Sequence, residues 1–300
     1  MKIVFFGTPE FAIPTLKALH ESKHDVVAVV TAPDKERGRG RKVSVTPVKQ
    51  FALENEISVL TPQKLKAVEF EKELKSLNAD LFVILAFRIL PENIFTIPPK
   101  GAFNLHGSLL PKYRGAAPIQ WAIINGEKET GVTTFFLKKK VDTGNIIHSR
   151  KIEIEDSDNL GTLHDKMSLL GAELVLETVN LIEIENYELT EQNNALATPA
   201  PKITKETCLI NWNKTAEEIH NLVRGLSPYP AAFFIHNDKQ YKIYSTKISD
   251  TLKLKPSEIK QTKFEIFLGT TTTALQILEI QPEGRKRMDA ESFLRGYSLI

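Results

Sequence analysis

The sequence predicts an α/β domain built on a mostly parallel sheet, followed by a smaller, mainly β domain that reads as a small barrel. Three observations lead there. Apolar runs at 2–6, 26–30, 81–85 and 102–105 alternate with helix-like segments, the pattern of parallel strands buried on both faces. Residues 186–206 turn polar, with Gln192-Asn193-Asn194 and Pro199-Ala200-Pro201, the composition of an exposed linker. Beyond it, short β-rich runs recur at 231–235, 240–245, 264–269 and 274–280 with turn residues between them.

Each element has a local reason. The first run stops at Gly7, after which Phe11, Ile13, Leu16, Ala18 and Leu19 recur at helical spacing, giving strand, tight turn and helix. Runs at 132–137 and 146–154 add strands, and Leu163, Met167, Leu170, Leu174 and Val175 fall on one face of a long amphipathic helix over 160–185. That helix closes the first domain, so the expected division is 1–185, a linker at 186–206, and 207–300, with a helix over 216–223 opening the last part.

Composition excludes several classes. With 42% hydrophobic and 25% charged residues in 300, the chain has enough apolar side chains for one large core and a second smaller one. A single cysteine, Cys208, excludes an internal disulfide framework, and no Cys or His grouping has zinc-ligand spacing, so no metal is expected. The first residues pass from an apolar run straight to Gly7-Thr8-Pro9 with no secretory pattern. Met1 reads as the start of a cytoplasmic chain with no membrane segment. A net charge of +2 permits an anionic partner but falls short of a dedicated nucleic-acid binder. Gly7-Thr8-Pro9 lacks the three-glycine dinucleotide fingerprint, which argues against NAD.

The residues with most chemical content are Asn104 and His106, in a string that follows a predicted strand and so stands where a parallel sheet presents side chains to a ligand crevice. Strand alternation puts the two on one side. An amide donor beside an imidazole can hold a carbonyl oxygen that gains charge under nucleophilic attack. An isolated Asn-x-His is more often a turn cap beside a satisfied histidine, and Asp142-Thr143-Gly144 alone is ordinary turn chemistry. A carboxylate brought across to His106 would nonetheless hold its tautomer and favour its charged form.

The longer strings decide between these readings. His106-Gly107-Ser108-Leu109-Leu110-Pro111-Lys112-Tyr113-Arg114-Gly115 together with Asp142-Thr143-Gly144 resembles the formyltetrahydrofolate-dependent transferase superfamily. Nearly the whole chain is similar to the branch that formylates methionyl initiator tRNA. That similarity runs through Phe6 to Ala12, Pro33-Asp34-Lys35, Gly38-Arg39-Gly40, Pro47-Val48-Lys49, Gly115 to Gln120, Arg224 to Pro228, Gln281 to Met288 and Phe293 to Gly296.

The resemblance implies a Rossmann-like formyltransferase domain followed by a C-terminal barrel of the OB type. It implies 10-formyltetrahydrofolate as co-substrate, and Asn104, His106 and Asp142 as the catalytic trio. It further implies Ser108, Leu109, Leu110 and Pro111 as a folate-binding loop, with Phe87 and Arg88 beside the donor's ring. The sequence departs from the family at Arg88, where a small residue is usual, and at Asn145, a position often acidic.

Residues 35–42 join glycines to a run of cations, a composition suited to following a phosphate backbone. A lone run of this kind is more often a solvated loop, but in the family the matching loop enters the tRNA acceptor arm. Arg37, Arg39, Arg41 and Lys42 are therefore candidate contacts, as are Arg285, Lys286 and Arg287 in the second domain. The expected partners are initiator methionyl-tRNA and the folate donor, and the expected state is a monomer. The readings that compete are the same transfer to a small amine (glycinamide ribonucleotide or an amino sugar nucleotide), release of formate from the donor by hydrolysis, and a non-catalytic RNA-binding protein.

Overall fold

The computed structural model describes residues 1–37 and 42–300, without the side chains of 35–37, 42 and 43. The N-terminal strands are β1 (Lys2–Gly7), β2 (Asp25–Val30), a hairpin of β3 (Lys35–Arg37) and β4 (Lys42–Ser44), β5 (Val59–Leu60), β6 (Leu81–Leu85), β7 (Ala102–His106), β8 (Arg114–Gly115), β9 (Glu129–Phe136) and β10 (Ile146–Glu153). Among the described residues seven of them make one sheet in the order β10-β9-β7-β6-β1-β2-β5. Pairing is parallel from β7 through β6, β1 and β2 to β5, and antiparallel between β7 and β9. The expected mostly parallel α/β sheet is present, and its strand order turns back beside β1, where doubly wound sheets bind ligands at the carboxyl ends of their strands.

Alternation along the strands sorts the core. Val4 and Phe6 of β1 pack with Phe82 and Ile84 of β6 and with Phe70 and Leu74 of the helix Val68–Ser76. Each fully buried Phe contributes about 1.5–3 kcal/mol of transfer free energy. On the opposite face, Leu105 of β7 meets the helix Leu160–Glu183. A Cβ added at Gly171 would lie 2.5 Å from the Leu105 side chain, so that glycine permits the close approach. Asn104, next along the strand, therefore faces away from that helix, on the side of Ile84, its register partner.

Packing divides the chain into two compact units that do not follow a single cut in the sequence. One is Met1–Gly115, Gly131–Ile152 and His164–Pro199; the other is Ala116–Thr130, Glu153–Leu163 and Ala200–Ile300. Two residues of the Arg224–Pro228 string explain the excursions. An added Cβ at Gly225 would sit 2.6 Å from Ile124 Cγ1 and 3.0 Å from the Gln120 carbonyl, so glycine lets the helices Pro118–Ile124 and Ala216–Leu226 touch. Arg224 donates Nε to the Asp158 carbonyl at 2.7 Å and Nη2 to the Glu155 carbonyl at 2.7 Å, anchoring the 153–163 segment. The stretch expected as linker is also more ordered than its composition suggests: it holds a 3-10 turn at Asn194–Leu196, the strand β11 (Pro199–Ala200) and a buried Gln192.

In the second unit the strands are β12 (Ala232–His236), β13 (Lys239–Ile248), β14 (Ile259–Gln261), β15 (Ile266–Leu268), β16 (Leu275–Pro282) and β17 (Met288–Asp289). They form an antiparallel path β12-β13-β16-β15-β14 with β17 on β16, a half-barrel. Its inner residues, among them Ile243, Ile266, Ile277 and Ile280, close over Ile219, Val223 and Leu226 of the helix Ala216–Leu226. Thr215 and Glu218 cap that helix reciprocally.

Candidate active site

At the carboxyl ends of β6 and β7 lies a cavity of about 110 Å³ whose wall is Ile84, Phe87, Arg88, Ile89, Leu90, Phe95, Leu137 and Val141, with Asn104, Lys138, Lys139 and Asp142 supplying its polar atoms. Two of the three residues expected to react, Asn104 and Asp142, thus share one cavity with Phe87 and Arg88. His106 follows on the same strand, two residues after Asn104, but is buried, and its Nε2 lies 2.8 Å from the Tyr113 carbonyl. A carbonyl only accepts, so Nε2 carries the proton and Nδ1 is the ring nitrogen left to exchange one.

The apolar wall is fixed from beneath. Phe87 meets Phe6 edge-on with centroids 5.6 Å apart, and Phe6 packs on Phe82 at 5.1 Å. The preceding Ala86 has φ 49°, a left-handed turn that swings the chain out of β6. Arg88 then reaches sideways, donating Nη2 to the Pro62 carbonyl at 2.7 Å and Nη1 to the Gln63 carbonyl at 3.3 Å, with its guanidinium 5.3 Å from the Phe87 ring centroid. Desolvation in that setting pushes its pKa down from the ordinary guanidinium value, from a starting point high enough that the group stays charged. Ile89 and Val141 remain 74% and 48% exposed, an uncovered apolar rim. Arg88 therefore braces the wall through neighbouring carbonyls.

The loop 108–111 is organised by one threonine. Thr133 of β9 donates its hydroxyl to the Ser108 carbonyl at 2.7 Å and accepts the Leu110 amide at 3.2 Å, while Ser108 Oγ closes the loop on the Lys112 carbonyl at 2.6 Å. Leu109 packs over Gly131, where an added Cβ would come within 2.5 Å of it. The side chains of Ser108 and Leu110 are buried in this clasp, and none of the four residues 108–111 lines the 110 Å³ cavity. What the loop fixes is the course of the chain from His106 to Arg114.

Asp142 sits at φ 53°, a left-handed conformation that costs an L residue about 1–2 kcal/mol. Its Oδ2 accepts the Gly115 amide at 3.0 Å. Gly144 has no positive φ; an added Cβ would fall 1.6 Å from the Phe136 carbonyl oxygen, so the glycine serves the close passage of the loop over β9 rather than turn freedom. Lys138 is turned onto Asn145 Oδ1 at 2.8 Å.

Sequence reasoning missed Gln192, whose amide bridges the 142–144 loop to Arg114. The polar tract around it carries no signal of burial. Of the cations expected to meet RNA, Arg39 and Arg41 lie outside the described residues, and Arg37 and Lys42 are register partners in the β3–β4 hairpin, their side chains not described. Arg285 stands 6.0 Å from the Tyr297 ring centroid and Arg287 4.5 Å from that of Tyr244, where it is also paired with Glu279; Lys286 is exposed. Among the described residues no group of three or more His, Cys, Asp or Glu is placed to hold a metal, and no helix is long and apolar enough to cross a membrane.

Comparison with known proteins bears on this arrangement. The Formyl transferase family matches residues 1–179, and the Formyl transferase, C-terminal domain family matches 202–298. The methionyl-tRNA formyltransferase of Caldanaerobacter subterraneus subsp. tengcongensis is 47% identical over 302 residues, covering 100% of this chain and 98% of that one. Among solved structures, an N-formyltransferase from Helicobacter canadensis, in complex with folinic acid and dTDP-3-aminofucose, superposes with a TM-score of 0.71 at 23% identity, covering 96% of this chain and 100% of that one. A methionyl-tRNA formyltransferase from Clostridium thermocellum gives 0.58 at 18% identity, over 83% and 94% of the two chains. These structural likenesses speak to the fold.

Proposed function

This chain belongs to the methionyl-tRNA formyltransferase family, and from that premise we propose that Asn104, His106 and Asp142 carry formyl transfer from 10-formyltetrahydrofolate to the α-amino group of methionyl initiator tRNA. The observation that supports the reading best is the sharing of one cavity by Asn104 and Asp142 beneath an uncovered apolar rim. Pockets for drug-sized ligands run to roughly 300–1,000 Å³, so a space of about 110 Å³ suits only the ring end of a folate. Phe87, Ile89, Leu90 and Val141 offer the apolar faces for a flat ring.

The donor supplies the formyl group; the residues supply charge and proton management. An α-amino group ionises near pH 8, so much of it is already nucleophilic at neutral pH. As it attacks, the Asn104 amide donates to the formyl oxygen that gains charge. His106, with Nε2 held by the Tyr113 carbonyl, offers Nδ1 to carry the amine's proton to the donor nitrogen, which leaves as tetrahydrofolate when its bond to the formyl carbon breaks. The Asp142 carboxylate helps the amine lose its proton. The exposed cations at 285–287 and those of 35–42 fit a phosphate backbone, contacts that position a tRNA without reading its sequence.

Supplying labelled 10-formyltetrahydrofolate together with methionyl-tRNA and small amines tests the whole reading. Label is expected on methionyl-tRNA; label found on an amino sugar nucleotide, on glycinamide ribonucleotide or on free formate instead would reject it.

A further inference from the structure

The left-handed backbone of Asp142 persists only if its surroundings over-determine it, and the structure shows what does so. Thr190 and Ile146 exchange amide-to-carbonyl bonds of 2.9 and 2.8 Å, laying the chain before Gln192 antiparallel to the start of β10. Farther on, Thr198 takes the Tyr113 amide on its hydroxyl at 2.8 Å and the Arg114 amide on its carbonyl at 2.9 Å. One strap, 190–198, is thus tied to the 106–115 string and to the strand that follows 142–144.

Gln192 is the centre of that strap. It is 5% exposed, and its Nε2 donates to the Asp142 carbonyl at 3.1 Å and to the Gly144 carbonyl at 2.8 Å. Its Oε1 accepts both Nε and Nη2 of Arg114, at 3.0 and 2.6 Å, while Arg114 Nη1 reaches Asn194 Oδ1 at 2.8 Å. The guanidinium fixes which end of the amide is which: a flipped Gln192 would set its oxygen against two carbonyls and its N–H groups against a cation. The adjoining Gly115 amide holds the carboxylate itself. The same two neighbouring residues, 114 and 115, therefore set the backbone of Asp142 through Gln192 and its side chain directly.

We propose that Gln192, oriented by Arg114, is a positioning residue that holds the Asp142 carboxylate in its reacting geometry. The proposal rests on the reading of Asp142 as part of the reacting site. Gln192 does not line the cavity that Asn104 and Asp142 share, so its loss acts through the 142–144 loop that it holds. Gln192→Glu keeps the shape and the acceptor for Arg114 but replaces both donors to the 142 and 144 carbonyls with an oxygen.

A double-mutant cycle on the full chain separates the possibilities. With 10-formyltetrahydrofolate and methionyl-tRNA, Gln192→Glu is expected to lower kcat about tenfold or more while KM for the donor moves less than about threefold. In an Asp142→Asn background the same change is expected to cost less than about twofold. In the free protein, hydrogen exchange of the Ile146 amide is expected to quicken. Additive losses, or an unchanged kcat in Gln192→Glu, overturn the proposal. Should Gln192→Glu not fold, Arg114→Lys, which keeps the charge but not the fork, is expected to show the same non-additivity with a smaller loss, and additivity there overturns it equally. Wild-type turnover in Asp142→Asn alone would instead remove the underlying reading of the site, and the proposal with it.

Discussion

The two units gather their polar residues in opposite ways. Around the cavity of the first, Asn104, His106 and Asp142 are placed by backbone: a strand end, a loop clasped by Thr133, and a left-handed residue held by Gln192. On the half-barrel of the second, Arg285 and Arg287 are placed by side chains alone, lying on tyrosine rings beside a glutamate. Bonds to the main chain fix the first arrangement, and contacts between side chains fix the second. The contrast breaks most sharply at Asn104. Removal of one preorganised donor typically costs 10² to 10³ in kcat, about 2.7–4 kcal/mol, so Asn104→Ala is expected to lose that much turnover while the dissociation constant for the folate changes by less than about threefold. Equal losses in both would make Asn104 a binding group and dissolve the distinction drawn here.

How much of this was legible in the sequence depended on range. β1 and β6 follow from unbroken apolar runs of the kind that a sheet buried on both faces requires. The expected role of Asn104 and His106 comes from the resemblance; that they stand on one side of their strand follows from its periodicity. The antiparallel joining of β9 to β7 does not, because a strand's own residues do not reveal its neighbour. Gly144 reads as turn chemistry and Gly225 lies beyond the helix expected over 216–223, yet each answers to a distant partner, the Phe136 carbonyl and Ile124. Gln192 was hidden for the same reason: Gln-Asn-Asn has the composition of solvent-facing chain, and only the folded unit supplies the guanidinium and carbonyls that bury it. The assignment of 116–130 and 153–163 to the second unit was equally invisible, resting on Arg224 and Gly225.

Titration sharpens the comparison from the side of the second unit. His220 hydrogen-bonds Thr246 Oγ1 at 2.8 Å, and burial first, then the Arg224 charge, hold its pKa below the ordinary 6.5. As the pH falls below about 6.5, the unfolded chain binds the proton before the folded one, so stability present above that value is lost down through the depressed folded pKa. The thermal midpoint is expected to fall between pH 7 and 5, and His220→Gln, which can keep the bond to Thr246, is expected to flatten part of that fall. An unchanged slope would mean that the imidazole is free to charge in the folded state.

The smallest effects belong to the tyrosine-backed cations. A phosphate contact contributes about 0.7–0.9 to the slope of log affinity against log salt. Arg285→Ala is therefore expected to reduce that slope for methionyl-tRNA by roughly one, with little change in kcat at saturating tRNA. Arg287 carries the same charge but already answers Glu279 across β16, so part of its field is spent within the protein. Arg287→Ala should lower the slope by less than Arg285→Ala, and adding Glu279→Gln to an intact Arg287 should raise it. Fluorescence titrations of tRNA at several salt concentrations distinguish the three. Identical slopes for all of them would show that this surface holds its cations for the half-barrel's own packing, and that the polyanion is met elsewhere.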